Sequence, residues 1–177
     1  MARGNVFLVG MMGSGKTTLG RALAHRLELP FVDTDRILVE RTGVPVTTIF
    51  EIEGEEGFRR REALILAELA EGDAHVVATG GGAILTAENR DLMRARGTVV
   101  YLRARLDHLW ERTRHDTTRP LLATPNPRAT LGALMQVRDP LYRETAHIVV
   151  DTGSQTAASL VTRVEAALRA HEGGTPA

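Results

Sequence analysis

A glycine-rich segment at residues 10–17 has the spacing of a nucleotide phosphate-binding loop. It reads GMMGSGKT and fits the pattern G-x-x-x-x-G-K-S/T. A buried strand is predicted before it, at residues 5–10, and a helix after it, at residues 16–27. In that context backbone N–H groups and the helix N-terminus would bind phosphate, Lys16 would reach the β- and γ-phosphates, and the Thr17 hydroxyl would coordinate Mg²⁺. A purely structural glycine turn is the alternative. We favour a protein that binds ATP or a close relative.

The chain contains many arginines but only one lysine. Lys16 is the only lysine among the 22 basic residues, and the other 21 are arginines. The chain therefore places its one lysine inside the predicted phosphate loop. A stray lysine in an arginine-rich background is the alternative. We favour a functional reason, because a compact ammonium group can reach between phosphates.

Two carboxylates stand at the end of the second predicted strand, residues 31–33. Asp33 and Asp35 lie where open α/β sheets bind ligands, beyond the carboxyl end of a strand. One carboxylate could serve magnesium while the other accepts a proton from a substrate hydroxyl. Capping of a helix start is the alternative for each. The strand predicted at residues 75–79 lacks a terminal acidic residue for the metal, which favours Asp33 in that role.

Three consecutive glycines, Gly80, Gly81 and Gly82, end the third predicted strand. Glycine is costly in chain entropy unless backbone must come close to something. A tight turn is the alternative, although one glycine normally suffices for it. We expect main-chain amides to approach a substrate here.

Several arginines are candidates for binding anions. Residues 59–61 are consecutive arginines on a predicted helix, where successive side chains point about 100° apart, so they cannot all face one pocket. Each of them, taken alone, is better explained as a solvated surface residue. Arg119 lies in a polar segment and could close over the γ-phosphate. Arg138 lies in a later predicted helix, where a surface salt bridge is the alternative.

The composition excludes several classes of function. A formal net charge of zero gives no reason to expect nucleic acid or an anionic membrane as a partner. The absence of cysteine excludes disulfides, thiolate metal sites and a cysteine nucleophile. No two histidines are spaced for a zinc cluster. Without a signal peptide or an apolar run of membrane-spanning length, we expect a cytoplasmic protein.

Strands alternate with helices along the chain. Strands are predicted at residues 5–10, 31–33, 75–79, 98–102 and 147–150. Helices are predicted at residues 16–27, 47–50, 55–71, 86–95, 106–113, 128–146 and 156–170. This alternation predicts one domain, residues 1–177, with a doubly wound parallel sheet covered on both faces. Residues 114–127, which carry three prolines, are expected to form a mobile surface segment, and residues 172–177 a disordered tail.

As a set, these motifs resemble the shikimate kinase family over residues 5–170. The resemblance rests on the order and spacing of residues 10–17, 33–35, 57–60, 80–82, 119–122 and 138–142. It implies a three-layer α/β/α P-loop kinase fold with a five-stranded parallel sheet, a helical substrate-binding region at about residues 35–62 and a lid at about residues 114–127. The implied activity is Mg²⁺-dependent transfer of phosphate from ATP to the 3-hydroxyl of shikimate, in chorismate and aromatic amino acid biosynthesis. The resemblance also suggests a monomer.

The resemblance implies substrate and metal roles for individual residues. Asp35 would contact the shikimate hydroxyls and accept the proton. Arg59 and Arg138 would bind the carboxylate, with the amides of Gly80, Gly81 and Gly82 alongside. Asp33, through water, and Thr17 would hold the magnesium ion.

On the nucleotide side, the resemblance makes Arg119 the lid arginine that meets the transferring phosphate and sets Arg112 against adenine. The implied ATP-binding residues are Gly13, Ser14, Gly15, Lys16, Thr17, Thr18, Arg112 and Arg119. The implied catalytic residues are Lys16, Asp35 and Arg119. Residues 151–156 lack a proline that some relatives carry nearby, so this segment does not identify the adenine contacts.

Two other functions stay open at this point. A related small-molecule kinase, such as one acting on gluconate, would share the nucleotide chemistry but have less use for Arg59, Arg138 and Asp35 together. A catalytically silent nucleotide sensor is the other, and the intact set of Lys16, Thr17, Asp33, Asp35 and Arg119 argues against it.

Overall fold

The computed structural model describes residues 4–174, and its centre is a five-stranded parallel sheet. The strands lie in the order β2-β3-β1-β4-β5, and every neighbouring pair is parallel. Their bounds are β1 Asn5–Val9, β2 Phe31–Asp33, β3 Val76–Ala78, β4 Gly97–Ala104 and β5 Ile148–Thr152. The predicted parallel sheet is confirmed, and β4 and β5 each run two residues further than the sequence pattern indicated.

The strands are joined by helices, whose bounds are α1 Lys16–Leu27, α2 Thr34–Thr42, α3 Val46–Glu71, α4 Ala87–Arg96, α5 Leu106–Thr113, α6 Pro127–Thr145 and α7 Ala157–Gly173. Helix α2 was not predicted, because it follows β2 without any loop residue. The range of α3 contains two helical segments that meet at a kink at Gly54, where φ is 69°, in agreement with the two helices predicted at residues 47–50 and 55–71. This non-helical conformation with a positive φ suits glycine and changes the direction of the chain between the two segments.

Side chains alternate between the two faces of β1 and build two separate layers of core. Val6 and Leu8 pack with residues of α1 and α7 on one face. Phe7 and Val9 pack on the other face against α3, α4, α5 and α6. Because a central parallel strand is covered on both sides, β1 is apolar throughout except for Asn5. The result is the predicted three-layer α/β/α arrangement.

A third, smaller cluster holds the helical region at residues 35–62. Leu38 of α2 packs with Ile49, Phe58 and Ile65 of α3. This core fixes α2 and α3 against each other beside the carboxyl ends of the strands. It therefore positions the side chains of both helices that face the sheet edge.

The segment between α5 and α6 includes a short 3₁₀ helix, Pro120–Leu122. Leu122 is buried in the main core, so the segment is anchored at one point. That residues 114–127 move as a lid stays a prediction. Helix α7 continues through Gly173, so Glu172 and Gly173, expected in a disordered tail, are helical, while residues 175–177 lie outside the described residues. Within residues 4–174, no helix is long and apolar enough to cross a membrane.

Candidate active site

The phosphate loop lies between β1 and α1, at the centre of the sheet. Gly15 forms the helix N-cap in a left-handed conformation, with φ at 93°, and no side chain caps the first N–H groups of α1. Lys16 donates to the carbonyls of Gly10 and Met11 over 2.7 and 2.9 Å. Burial, followed by the charge of Arg119, lowers the pKa of Lys16 to about 8. Open helix N–H groups beside an ammonium group form an anion-binding site.

A cavity of about 330 Å³, which we call the phosphate cavity, opens in front of this loop. Gly13, Gly15, Lys16, Thr17, Thr18, Asp33, Asp35, Arg112 and Arg119 are among its lining residues. Ser14 is the exception among the predicted ATP contacts. Its N–H donates to the Met11 carbonyl and its hydroxyl is buried. The contact of Ser14 with ATP therefore stays a prediction.

Asp33 caps a helix with one carboxylate oxygen and contacts Thr17 with the other, while its role in binding magnesium stays a prediction. Its Oδ1 accepts from the backbone N–H groups of Asp35 and Arg36 and so caps α2. Its Oδ2 accepts from the Thr17 hydroxyl over 2.9 Å, at the edge of the phosphate cavity. The capping alternative for Asp35 is wrong, because that residue lies in the first turn of α2 and its Oδ1 is buried without a hydrogen-bond partner in the described structure.

A second cavity of about 470 Å³, the acceptor cavity, lies between α2, α3, the residue 114–126 segment and α6. Its charged lining residues are Asp35, Arg59, Arg119 and Arg138, and its apolar ones include Val39, Val46, Phe50, Phe58 and Leu121. Met12, Asp35, Gly80, Gly81 and Arg119 line both cavities. A group bound in the acceptor cavity therefore meets a group bound at the phosphate loop beside Asp35 and Arg119.

Asp35 is set up to hold a proton more tightly than an ordinary aspartate. Burial raises the pKa of its carboxyl, and the neighbouring Asp33 raises it further, while the charges of Lys16, Arg119 and Arg59 act in the opposite direction. A raised pKa together with an unpaired oxygen is typical of a carboxylate that exchanges a proton with a ligand.

Arg138 is 2% exposed, yet no carboxylate of the described residues pairs with it. The alternative of a surface salt bridge is therefore wrong. A guanidinium group buried without a carboxylate partner is costly unless an anion joins it. Arg138 thus favours a negatively charged ligand in the acceptor cavity.

The three arginines at residues 59–61 point in different directions, as helical geometry predicts. The Arg59 side chain is 15% exposed and faces the acceptor cavity, whereas Arg60 and Arg61 pair with glutamates on the surface. The surface alternative is therefore wrong for Arg59. Arg59 Nη1 donates to Glu62 Oε1 over 3.0 Å.

Glu62 supports the site from behind Arg59 and the glycine turn, and the sequence pattern did not predict it. It is completely buried, and its Oε2 has no hydrogen-bond partner within residues 4–174. Burial raises its pKa to about 7, against the opposing effect of Arg59. Its position three residues after Arg59 on one helix face was the available signal.

The glycine turn makes room for these side chains. A Cβ atom on Gly80 would lie 2.5 Å from Glu62 Oε2, and one on Gly82 would collide with the Arg59 guanidinium group. A Cβ on Gly81 would lie 3.2 Å from Arg138 Nη1. The need for glycine therefore comes from the arginines and Glu62 that surround the turn.

Arg112 lines the phosphate cavity, and Arg119 lines both cavities. Arg112 donates to the carbonyls of Gly13 and Gly153 over 2.9 and 3.1 Å, so it joins the phosphate loop to the loop after β5. Arg119 Nε lies 2.9 Å from Asp116 Oδ2 within its own segment.

Comparison with known proteins agrees with this geometry. A model of the shikimate kinase family matches residues 12–169. Two curated relatives are the shikimate kinases of Nitrosospira multiformis, 61% identical over 88% of this chain and 80% of that protein, and of Ralstonia nicotianae, 58% identical over 93% and 86%. The chain belongs to the shikimate kinase family. A solved shikimate kinase from Acinetobacter baumannii, in complex with shikimate, is 45% identical and superposes with a TM-score of 0.93 over 95% of this chain and 94% of that one.

Glu62 makes the free energy of unfolding of this protein decrease as the pH rises. Because its pKa rises from the ordinary 4.5 to about 7 on folding, native protein keeps the proton in that interval while unfolded protein loses it. Its contribution is thus fully present below about pH 4.5 and lost as the pH rises through 7. We expect Glu62→Gln to gain stability over wild type between pH 5 and 8, by up to about 3 kcal/mol.

Urea unfolding of both proteins at several pH values measures this difference. Glu56→Gln is the matched control, because Glu56 lies on the same helix with its side chain 90% exposed. A gain from Glu62→Gln that is the same at every pH would contradict the raised pKa.

Proposed function

We propose that this chain phosphorylates the 3-hydroxyl of shikimate with ATP, giving shikimate 3-phosphate and ADP. The observation that carries the proposal is the charge pattern of the acceptor cavity, where Arg59 and the buried Arg138 face the same space as Asp35. Two guanidinium groups suit one carboxylate, and a carboxylate with backbone amides suits several hydroxyls. Shikimate has one carboxylate and three hydroxyls. The choice of the 3-hydroxyl rests on the family resemblance.

We infer a magnesium site at Thr17 and Asp33. Both present oxygen atoms at the edge of the phosphate cavity, and hard oxygen ligands are those that magnesium prefers. Within residues 4–174 no group of three or more acidic, histidine or cysteine side chains could hold a metal alone, so phosphates and water would complete its coordination. When bound, the ion would neutralise charge on the phosphates of ATP.

The residues at the junction of the two cavities have separate tasks in this proposal. The oxygen of the 3-hydroxyl forms a bond to the γ-phosphorus of ATP while the bond from that phosphorus to the ADP oxygen breaks. Asp35 accepts the proton that the 3-hydroxyl loses. Lys16 and Arg119 stabilise the charge on the transferring phosphoryl group. Arg112 lies beside adenine. Most of the rate enhancement then comes from positioning and charge stabilisation rather than from a strong nucleophile.

A coupled assay of ADP release with purified protein, ATP and Mg²⁺ tests the proposal. We expect release that depends on shikimate and none above background with gluconate, which would use the same nucleotide site. No dependence on shikimate would reject the proposed function. ADP release that depends on gluconate instead would identify the related kinase activity.

Arg138→Ala should weaken shikimate binding most of all. Removing one partner of a buried charge pair costs several kcal/mol, so we expect the KM for shikimate to rise about 100-fold while the KM for ATP changes little. Steady-state kinetics with each substrate varied measures both. Arg143→Ala is the control, because Arg143 is an exposed residue of α6 that pairs with Asp139. An unchanged KM for shikimate would contradict carboxylate binding at Arg138.

We further propose that the protein acts as a cytoplasmic monomer. A monomer is the oligomeric state that the resemblance to the shikimate kinase family suggests. The apparent mass in size-exclusion chromatography with light scattering measures the oligomeric state.

A further inference from the structure

The Tyr142 hydroxyl forms a hydrogen bond with the backbone of the glycine turn. Tyr142 is 1% exposed and lies on α6 one turn after Arg138, and its hydroxyl donates to the Gly81 carbonyl. The Met11 sulfur lies 3.9 Å from the same oxygen. One face of α6 therefore contacts the acceptor site twice, through Arg138 in the cavity and through Tyr142 behind the turn.

This hydrogen bond fixes the orientation of one peptide group. No peptide among residues 4–174 is cis, and in a planar trans peptide the N–H points opposite to the C=O. With the Gly81 carbonyl directed at Tyr142, the Gly82 N–H is directed away from it. Within the described structure this N–H has no acceptor, whereas the Gly80 N–H donates to the Thr34 hydroxyl. The Gly82 N–H is thus free to bind a ligand.

The Tyr142 ring packs against a second tyrosine, whose hydroxyl has a different partner. Its ring stacks on that of Tyr101 with a centroid distance of 4.8 Å. The Tyr101 hydroxyl donates to Asp139 Oδ1 over 2.6 Å, and Arg143 donates to the other oxygen of Asp139. Burial raises the pKa of both tyrosines, so each hydroxyl keeps its proton and can donate.

We propose that Tyr142 is a positioning residue for the acceptor substrate, holding the Gly81–Gly82 peptide so that the Gly82 N–H donates to shikimate beside Arg59 and Arg138. The inference rests on the proposed function, because it names the ligand that the free N–H meets. It differs from a packing role for the Tyr142 ring, since it assigns the effect to one hydroxyl group.

Tyr142→Phe removes that hydroxyl and keeps the ring. We expect the KM for shikimate to rise about fivefold, because a free Gly81 carbonyl no longer fixes the peptide, while kcat and the KM for ATP stay within about twofold. Tyr101→Phe is the matched control, since it removes the hydroxyl of the stacked partner, which contacts Asp139 and not the turn. We expect its KM for shikimate to be unchanged.

The outcomes separate the two proposals. A wild-type protein with no shikimate-dependent ADP release rejects the proposed function, and the role of Tyr142 with it. An active wild type with an unchanged KM in Tyr142→Phe, or with equal increases in both variants, rejects the role of Tyr142 alone.

A second measurement does not depend on folding of Tyr142→Phe. The chain contains two tyrosines, so protein labelled with 3-fluorotyrosine gives two ¹⁹F resonances, which Tyr101→Phe assigns. We expect saturating shikimate to shift the resonance of Tyr142 more than that of Tyr101. A Tyr142 resonance that does not move overturns the inference.

Discussion

Asp35→Asn should lower kcat about 1000-fold, within the range measured for loss of a general base. Asparagine keeps the size of the side chain but cannot accept the proton of the attacking hydroxyl. Because Asp33, not Asp35, caps α2, the substitution leaves the helix start intact. ATP binding, measured by calorimetry, should therefore survive, while the coupled assay shows the loss in kcat. A kcat near that of wild type would remove Asp35 from the proton-accepting role.

The pH profile gives an independent test of the same residue. Asp35 acts as a base only when ionised, and burial beside Asp33 raises its pKa above the ordinary 3.8. In wild type, kcat/KM should fall as the pH decreases through that raised pKa, and Asp35→Asn should lack this decline. Asp107→Asn is the control, because Asp107 is an exposed residue of α5 that pairs with Arg128. We expect its kinetics to match those of wild type.

Local motifs predicted the residues that the structure places around the phosphate cavity. The loop at residues 10–17 and the pair Asp33 and Asp35 lie at strand ends, where the topology of a parallel sheet brings ligands. The apolar, strand-length segments around them predicted all five strands. These features depend on residues close together in the chain, and for that reason a single sequence contains them.

The missed features depend on contacts between distant segments. Burial of Glu62 follows from packing of α3 beside the glycine turn, and the hydrogen bond from Tyr142 to Gly81 joins residues 61 positions apart. Arg138 shows the same difficulty, because a helical arginine next to an aspartate indicates a surface salt bridge until the cavity is seen. The glycine turn was predicted to approach a substrate. It lacks side chains for a different reason, because Arg59 and Glu62 of α3 occupy the space beside it.

Lys16→Ala should have an effect at least as large as that of Asp35→Asn, lowering turnover by about 1000-fold or more. The variant loses the ammonium group that stabilises charge on the transferring phosphoryl group. The coupled assay measures the loss, and calorimetry measures the weaker binding of nucleotide. Activity close to that of wild type would contradict the assignment of residues 10–17 as the phosphate loop.

Replacing Lys16 by arginine tests whether this position requires a lysine or only a positive charge. We expect Lys16→Arg to lose most activity as well, because a planar guanidinium group does not replace a compact ammonium group between phosphates. Arg21→Lys makes the reverse exchange on the same helix, at a residue that lies over the Phe31 ring, and should stay active. Full activity in Lys16→Arg would mean that this position does not require lysine, and that the single lysine has no functional reason.

The lowered pKa of Lys16 predicts how nucleotide binding depends on pH. Without nucleotide, the ammonium group is half-buried against two carbonyls and loses its proton as the pH rises through about 8. Bound phosphate favours the charged form and raises the pKa, so binding above pH 8 should take up a proton and become weaker with increasing pH. Calorimetry of ADP binding in buffers with different ionisation enthalpies measures that proton directly. Lys16→Ala should show less uptake than wild type at pH 8.5, and equal uptake in the two proteins would mean that another group takes the proton.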